Sequence, residues 1–323
     1  MNDPMAPETL IWCDAQREPL VRSILGRMDQ LQVLAIGGPR KGPLSDLRRS
    51  LDCDLEDDIR KMLIDRPASF LLLATDDGVS AEDLDQARRN GMHVLAVEPP
   101  VDQLEQTEVD RGRDEAKGKL FVVPWWRTSP AWQSAADPQE ALGEIWAIEA
   151  MSLCPPSHGS LYGRLYDCLD MVVNLMGLPD MIDAALSGPL SEPPQHLRHL
   201  TGALTAHLRF GEKASAQVFV SDRSSIWSRR MEAIGSEGQL RLCDGTYSLF
   251  AKDQPLDALE SGDGQMDAGQ LIASQWQRLA QHGMSPTPID TKAVVACAQT
   301  ILLSCRTGQG ESPTTMLRMH GAD

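Results

Sequence analysis

Hydrophobic and polar positions divide the chain into two regimes. Over residues 1–123, short apolar runs alternate with amphipathic stretches, and from residue 202 the apolar period falls to two. Residues 9–12 read as a short strand, residues 19–28 as a helix, and residues 32–36 as a second strand running into the turn-rich GGPRKGP. Residues 54–64 read as helical, with Leu55, Ile59, Met62 and Leu63 at helical spacing. The apolar run 70–74 is of the kind buried on both faces of a parallel sheet. Ser80 opens a helix with Asp83 three positions on in capping-box spacing, and Gly91 closes it. Strands at 93–97 and 119–123 flank a helix at 101–117. This alternation predicts a Rossmann-like, doubly wound parallel sheet over residues 1–123.

The remainder, residues 124–323, predicts an α+β domain built on a large, mostly antiparallel sheet. Residues 141–150 form the start of a strand after a helix, and Leu161–Met176 is a strongly apolar helix. LTAHLRF, ASAQVFVS, MEAIGSEGQLRLC and TYSLFAK alternate as strands between turn residues. Helices at 268–282 and 291–306 follow, and SGPLSEPPQ (187–195) is the clearest loop.

Charge narrows the function classes. The net charge of −16 argues against a nucleic-acid partner, which draws affinity from clustered Lys and Arg. Seven cysteines, scattered and with no CxxC pair, fit reduced thiols in a cytoplasmic setting better than disulfides or structural zinc. MNDPMAPETL shows no signal-peptide pattern. No apolar run approaches the roughly 18 residues of a membrane span.

Several phrases, in order, carry a resemblance to a known family. ATDDGVSAEDLDQARRNGMHVLAVEPP resembles a segment that leads from a strand end through a helix to Glu-Lys-Pro. VVPWWRTSPAWQSA resembles a strand followed by Arg and Pro at the start of a second domain, and ALGEIWAIEA a Gly-x-Leu-Gly-x-Ile strand. GSLYGRLYDCLDMVVNLMG resembles a helix that ordinarily carries a catalytic histidine. AIGSEGQLRL resembles a glycine-flanked hairpin, and AVVACAQTILLSCRTGQGESP a closing helix. Together they resemble the Gfo/Idh/MocA family of glucose-fructose oxidoreductases and inositol dehydrogenases over almost the whole chain. The resemblance implies hydride transfer between NAD(P) and a sugar-like carbon, with lysine and histidine managing the proton. It also implies a homodimer or homotetramer paired through the second domain's sheet.

Three positions depart from that pattern. A dinucleotide turn wants G-x-G-x-x-G, whose glycines let backbone N–H groups approach the pyrophosphate. Here Cys13, Ala15 and Glu18 stand on the glycine positions, and Asp14 and Glu18 add negative charge. Pro100 stands for the lysine, with Glu98 two positions before it. Asp167 stands for the histidine, and Gly163 for the acid four residues earlier. Asp can act as a base when burial raises its pKa, and an acid near a helix start also has a purely structural explanation.

Smaller features keep two readings open. Arg40 and Lys41 sit where a Rossmann domain meets the adenosine ribose, as an anion site or as a solvated loop. Trp125, Trp126, Arg127 and Trp132 suit either a sugar-like or acidic ligand or plain packing, and Arg127 is the best ligand contact among them. Tyr162 and Tyr166 extend the same candidate pocket. His196 with His199, and Cys154 with His158, lack the further partners that metal binding or nucleophilic catalysis needs, so no metal site is expected. The first reading is a body that has lost ordinary NAD(P)-dependent catalysis, needs no dinucleotide, and serves as a small-ligand-binding, regulatory or assembly protein. The alternative is an active oxidoreductase on a sugar-like or polyol substrate. There Arg40 and Lys41 hold NAD or NADP, and Asp167 or Glu98 acts as base.

Overall fold

The computed structural model describes residues 7–28, 31–40, 44–75, 77–109, 118–123, 126–135, 138–251, 254–259, 266–282 and 289–321. In chain order the first part runs β1 (Glu8–Trp12), α1 (Glu18–Leu25), β2 (Gln32–Gly37), α2 (Ser45–Leu51), β3 (Asp54–Glu56) and α3 (Ile59–Asp65). It continues β4 (Phe70–Leu73), α4 (Ala81–Arg89), β5 (His93–Ala96), α5 (Leu104–Val109) and β6 (Leu120–Val122). These six strands form one parallel sheet in the order β3-β2-β1-β4-β5-β6. The order reverses between β1 and β4. In open α/β sheets that reversal is where ligands cross the carboxyl edge.

The second part begins with α6 (Pro130–Ser134), α7 (Pro138–Leu142), β7 (Ile145–Leu153), α8 (Leu161–Met176) and β8 (Met181–Ser187). Strands β9 (Ala203–Phe210), β10 (Ala214–Ser221), β11 (Ser228–Gly235), β12 (Gly238–Cys243), β13 (Tyr247–Ala251) and β14 (Gln254–Leu259) follow. The chain closes with α9 (Ala268–His282), α10 (Thr291–Thr307) and α11 (Pro313–Met319). The eight strands form a sheet in the order β14-β13-β12-β11-β7-β10-β9-β8, antiparallel except where β7 meets β10. One face of it is covered by α8, which also packs on α10. The architecture is therefore a Rossmann-like parallel sheet plus a large, mostly antiparallel one.

Some boundaries differ from expectation. The predicted helix over 54–64 divides into β3 and α3, because the Asp58 carboxylate accepts the Arg60 and Lys61 amides (2.9 and 3.4 Å) and starts the helix only there. The edge strands β8 and β14 and the short α11 carry no clear period and were not expected. The predicted helix over 101–117 is α5 as far as Val109, and residues 110–117 lie outside the described residues.

The chain divides into two compact units. Described residues within 1–100, 112–123 and 267–286 form the first, and those within 101–111, 124–266 and 287–323 the second. The division expected at residue 123 is thus crossed twice. Helix α9 joins the first unit because it packs on α1, where Gly269 lets the Ser23 side chain approach and Arg27 pairs with Asp267. Among the described residues, no helix is long and apolar enough to cross a membrane.

Candidate functional site

Two places hold the sequence candidates. The first is the carboxyl edge of the parallel sheet. Strand β1 ends at Trp12, whose indole is 1% exposed and donates from Nε1 to the Asp77 carbonyl beyond β4 (2.9 Å). The same ring lies against Gly37 at the end of β2, where an added Cβ would come within 2.7 Å of it. Gly78, at φ +73°, turns the chain beside the ring, where an added Cβ would stand 3.7 Å from it. A Cβ on Gly38 would overlap the Cys13 carbonyl oxygen. Gly37 and Gly38 of GGPRKG thus admit the protein's own atoms.

The turn after β1 is closed from within. Asp14 accepts the Arg17 amide through its carboxylate (2.8 Å), at the start of α1. The Arg17 side chain reaches past β4 to Glu98 beyond β5 (3.3 Å), and both side chains are buried. Burial, with Asp14 and Glu18 adding to it, pushes the Cys13 thiol up to about 12, so it stays protonated and inert. Arg40 is exposed after β2, and Lys41 lies outside the described residues.

The second place is the interior of the second unit. Asp167, on the first half of α8, accepts from the Arg229 guanidinium (2.7 Å) and the Trp126 backbone amide (3.2 Å). Arg229 also donates from Nε to Asp244 (2.6 Å), and Asp244 accepts the Trp227 indole N–H (3.0 Å). The Arg229 guanidinium carbon lies 4.6 Å from the Trp126 ring centre and 5.4 Å from that of Trp227. Arg164 stacks on the other indole at 4.5 Å. Arg127 holds Asp170 through two bonds of 2.7 Å each. Burial pushes the Asp167 carboxyl up against the pull of Arg229 and Arg164. Burial likewise lifts Asp170 to about 6, although Arg127 opposes it.

The sequence candidates Asp167, Arg127, Trp126, Tyr162 and Tyr166 therefore gather around α8, and every one is buried. Tyr162 donates to the Val101 carbonyl (2.6 Å) and Tyr166 to Thr291 (3.4 Å); burial raises the Tyr166 phenol against the opposing effect of that bond. Trp125 lies outside the described residues. Glu98 is in the other unit.

Sequence reasoning missed Arg229, Asp244, Asp170 and Trp12. Arg229 had a signal, since it shares the inward phase of β11 with Met231 and Ala233. His196 and His199 touch edge to face at 5.6 Å, and no group of three or more metal-ligating residues occurs among the described residues. His158 bonds the neighbouring Ser157 hydroxyl (2.8 Å).

A parallel sheet with a β1–β4 switch point, together with a large, mostly antiparallel sheet that carries α8 on one face, defines a protein of two α/β parts. No family model and no curated protein matches the sequence. Among solved structures, a levoglucosan dehydrogenase in complex with NADH and levoglucosan is 16% identical at TM-score 0.71, over 95% of this chain and 98% of that one. An oxidoreductase of Agrobacterium radiobacter, in complex with NAD+, L-tartaric acid and magnesium, is 13% identical at TM-score 0.69, over 97% and 100%. An oxidoreductase of Thermotoga maritima is 13% identical at TM-score 0.66, over 96% and 99%. The chain has the fold of these Gfo/Idh/MocA-type oxidoreductases over 95% of its length.

Proposed function

We propose that this chain keeps the oxidoreductase body and works without dinucleotide-dependent hydride transfer, as a ligand-binding, regulatory or assembly protein. The observation that carries the reading is the state of Asp167. The acid that stands for the family histidine is 2% exposed and engaged by Arg229 and the Trp126 amide. A general base needs to reach a substrate proton. Glu98, the other candidate, is engaged by Arg17. The turn after β1 supports the same reading, because it lacks glycines and Asp14 takes an amide at the start of α1. These residues do not fit an NAD(P) pyrophosphate held in the usual cradle. The solved relatives carry sugar-like and hydroxy-acid ligands, and that class is the one to screen. The test is calorimetric titration of the purified chain with NADH and NADPH. No heat of binding is expected, and micromolar affinity overturns the reading.

Likeness of fold to NADH-bound dehydrogenases over 95% of the chain favours the second reading, a rewired oxidoreductase. In it Arg40 and Lys41 hold the dinucleotide, and Asp167 or Glu98 is the base. That reading expects cofactor-dependent turnover on sugars or polyols that D167N or E98Q abolishes. Turnover surviving in both variants removes the mechanism.

A further inference from the structure

We infer that the chain fills its own dinucleotide position, with the Trp12 indole standing where the adenosine half of a cofactor would lie. This deepens the reading above and rests on it. A dinucleotide crosses a doubly wound sheet at the carboxyl edge, its ribose beside the end of the second strand and its pyrophosphate on the first helix. Each of those places is taken by a side chain of the first unit. Trp12 spans from Gly37, the last residue of β2, to the Asp77 carbonyl beyond β4. Its ring belongs to the same apolar cluster as Ile59 and Met62 of α3 and Leu84 of α4, so it is anchored below as well as bonded above. Arg17 then bridges the β1 turn to Glu98 beyond β5, over the end of β4. Asp14 supplies the negative charge that a phosphate would bring to the helix start. An indole and an adenine are both flat, fused bicyclic aromatic rings of similar size. The position is aromatic in character, and the chain provides the aromatic group.

Removing the ring should leave an apolar slot, and buried apolar slots take up aromatic ligands. Full-length wild type and W12A are titrated with indole, adenosine and NADH, with thermal shift and calorimetry as readouts. Indole and adenosine are expected to raise the Tm of W12A with a Kd below about 1 mM, and to leave wild type unmoved. A folded W12A that does not bind adenosine, whether or not it binds indole, overturns the inference while the functional reading stands. NADH binding to wild type overturns both. If W12A does not fold, wild type carries the test by NMR, with the Trp12 indole N–H assigned through its loss in W12F. That signal is expected to exchange slowly with solvent and to stay in place on adding NADH. Fast exchange, or a shift on NADH addition, overturns the inference.

Discussion

Asp167 illustrates how a residue's position and its role separate. Its place on α8 is readable from the helix pattern, but its partner Arg229 lies 62 residues away on another element. Two carboxylates and two indoles compensate that guanidinium, which is completely buried. Breaking a buried pair by removing one member leaves uncompensated charge and costs about 3–5 kcal/mol. R229M should lose about that much in urea unfolding, and a loss below about 1 kcal/mol would mean that water reaches the network. Asp170 sets a pH dependence. The folded chain holds its proton up to about pH 6, above the ordinary carboxylate range, because burial outweighs Arg127. Its contribution therefore favours folding below about pH 4 and is lost as pH rises through about 6. A carboxyl carbon titration by NMR should give a midpoint near 6 for Asp170, and a midpoint near the ordinary value would show that Arg127 dominates.

Elements were legible where their period was strong. Leu161–Met176 coincides with its expected range, and the capping box expected at Ser80 and Asp83 is formed in both directions. Strand β3 was not legible, since three residues at a sheet edge carry too little period to compete with the helical spacing around them. Helix α9 was legible as a helix but not as part of the first unit. That placement depends on a close approach at Gly269, where a Cβ would stand within 2.7 Å of the Ser23 Cβ. G269A should push α9 off α1 and cost about 1–3 kcal/mol, read as a lower Tm. An unchanged Tm would show that α1 and α9 can separate without loss.

For the whole molecule, the open face of the large sheet is the surface to watch. Phe219 and Ile234 stay 38% and 43% exposed there, amid the pairs Arg230–Glu149, Arg241–Glu232 and Arg209–Asp183. Exposed apolar side chains framed by charges suit self-association, and a homodimer or homotetramer through this face is our proposal. Light scattering should give twice or four times the chain mass of 35.4 kDa, and F219E with I234E should return it to a monomer. A monomeric wild type at high concentration removes the proposal.

The sequence by itself determined what depends on neighbours along the chain: the alternation that builds a parallel sheet, the period-two strands, the helix starts, and the missing glycines after β1. It also located α8 and Asp167. Only the tertiary structure decided which charges are compensated and which spaces are filled. A carboxylate's chemistry depends on its desolvation and on the cation beside it, and both come from distant segments packed together. Pairing of Asp167 with Arg229, and of Arg17 with Glu98, turns candidate bases into interior ion pairs. Trp12 likewise reads as one more apolar strand residue until β2 and the turn beyond β4 close around its ring.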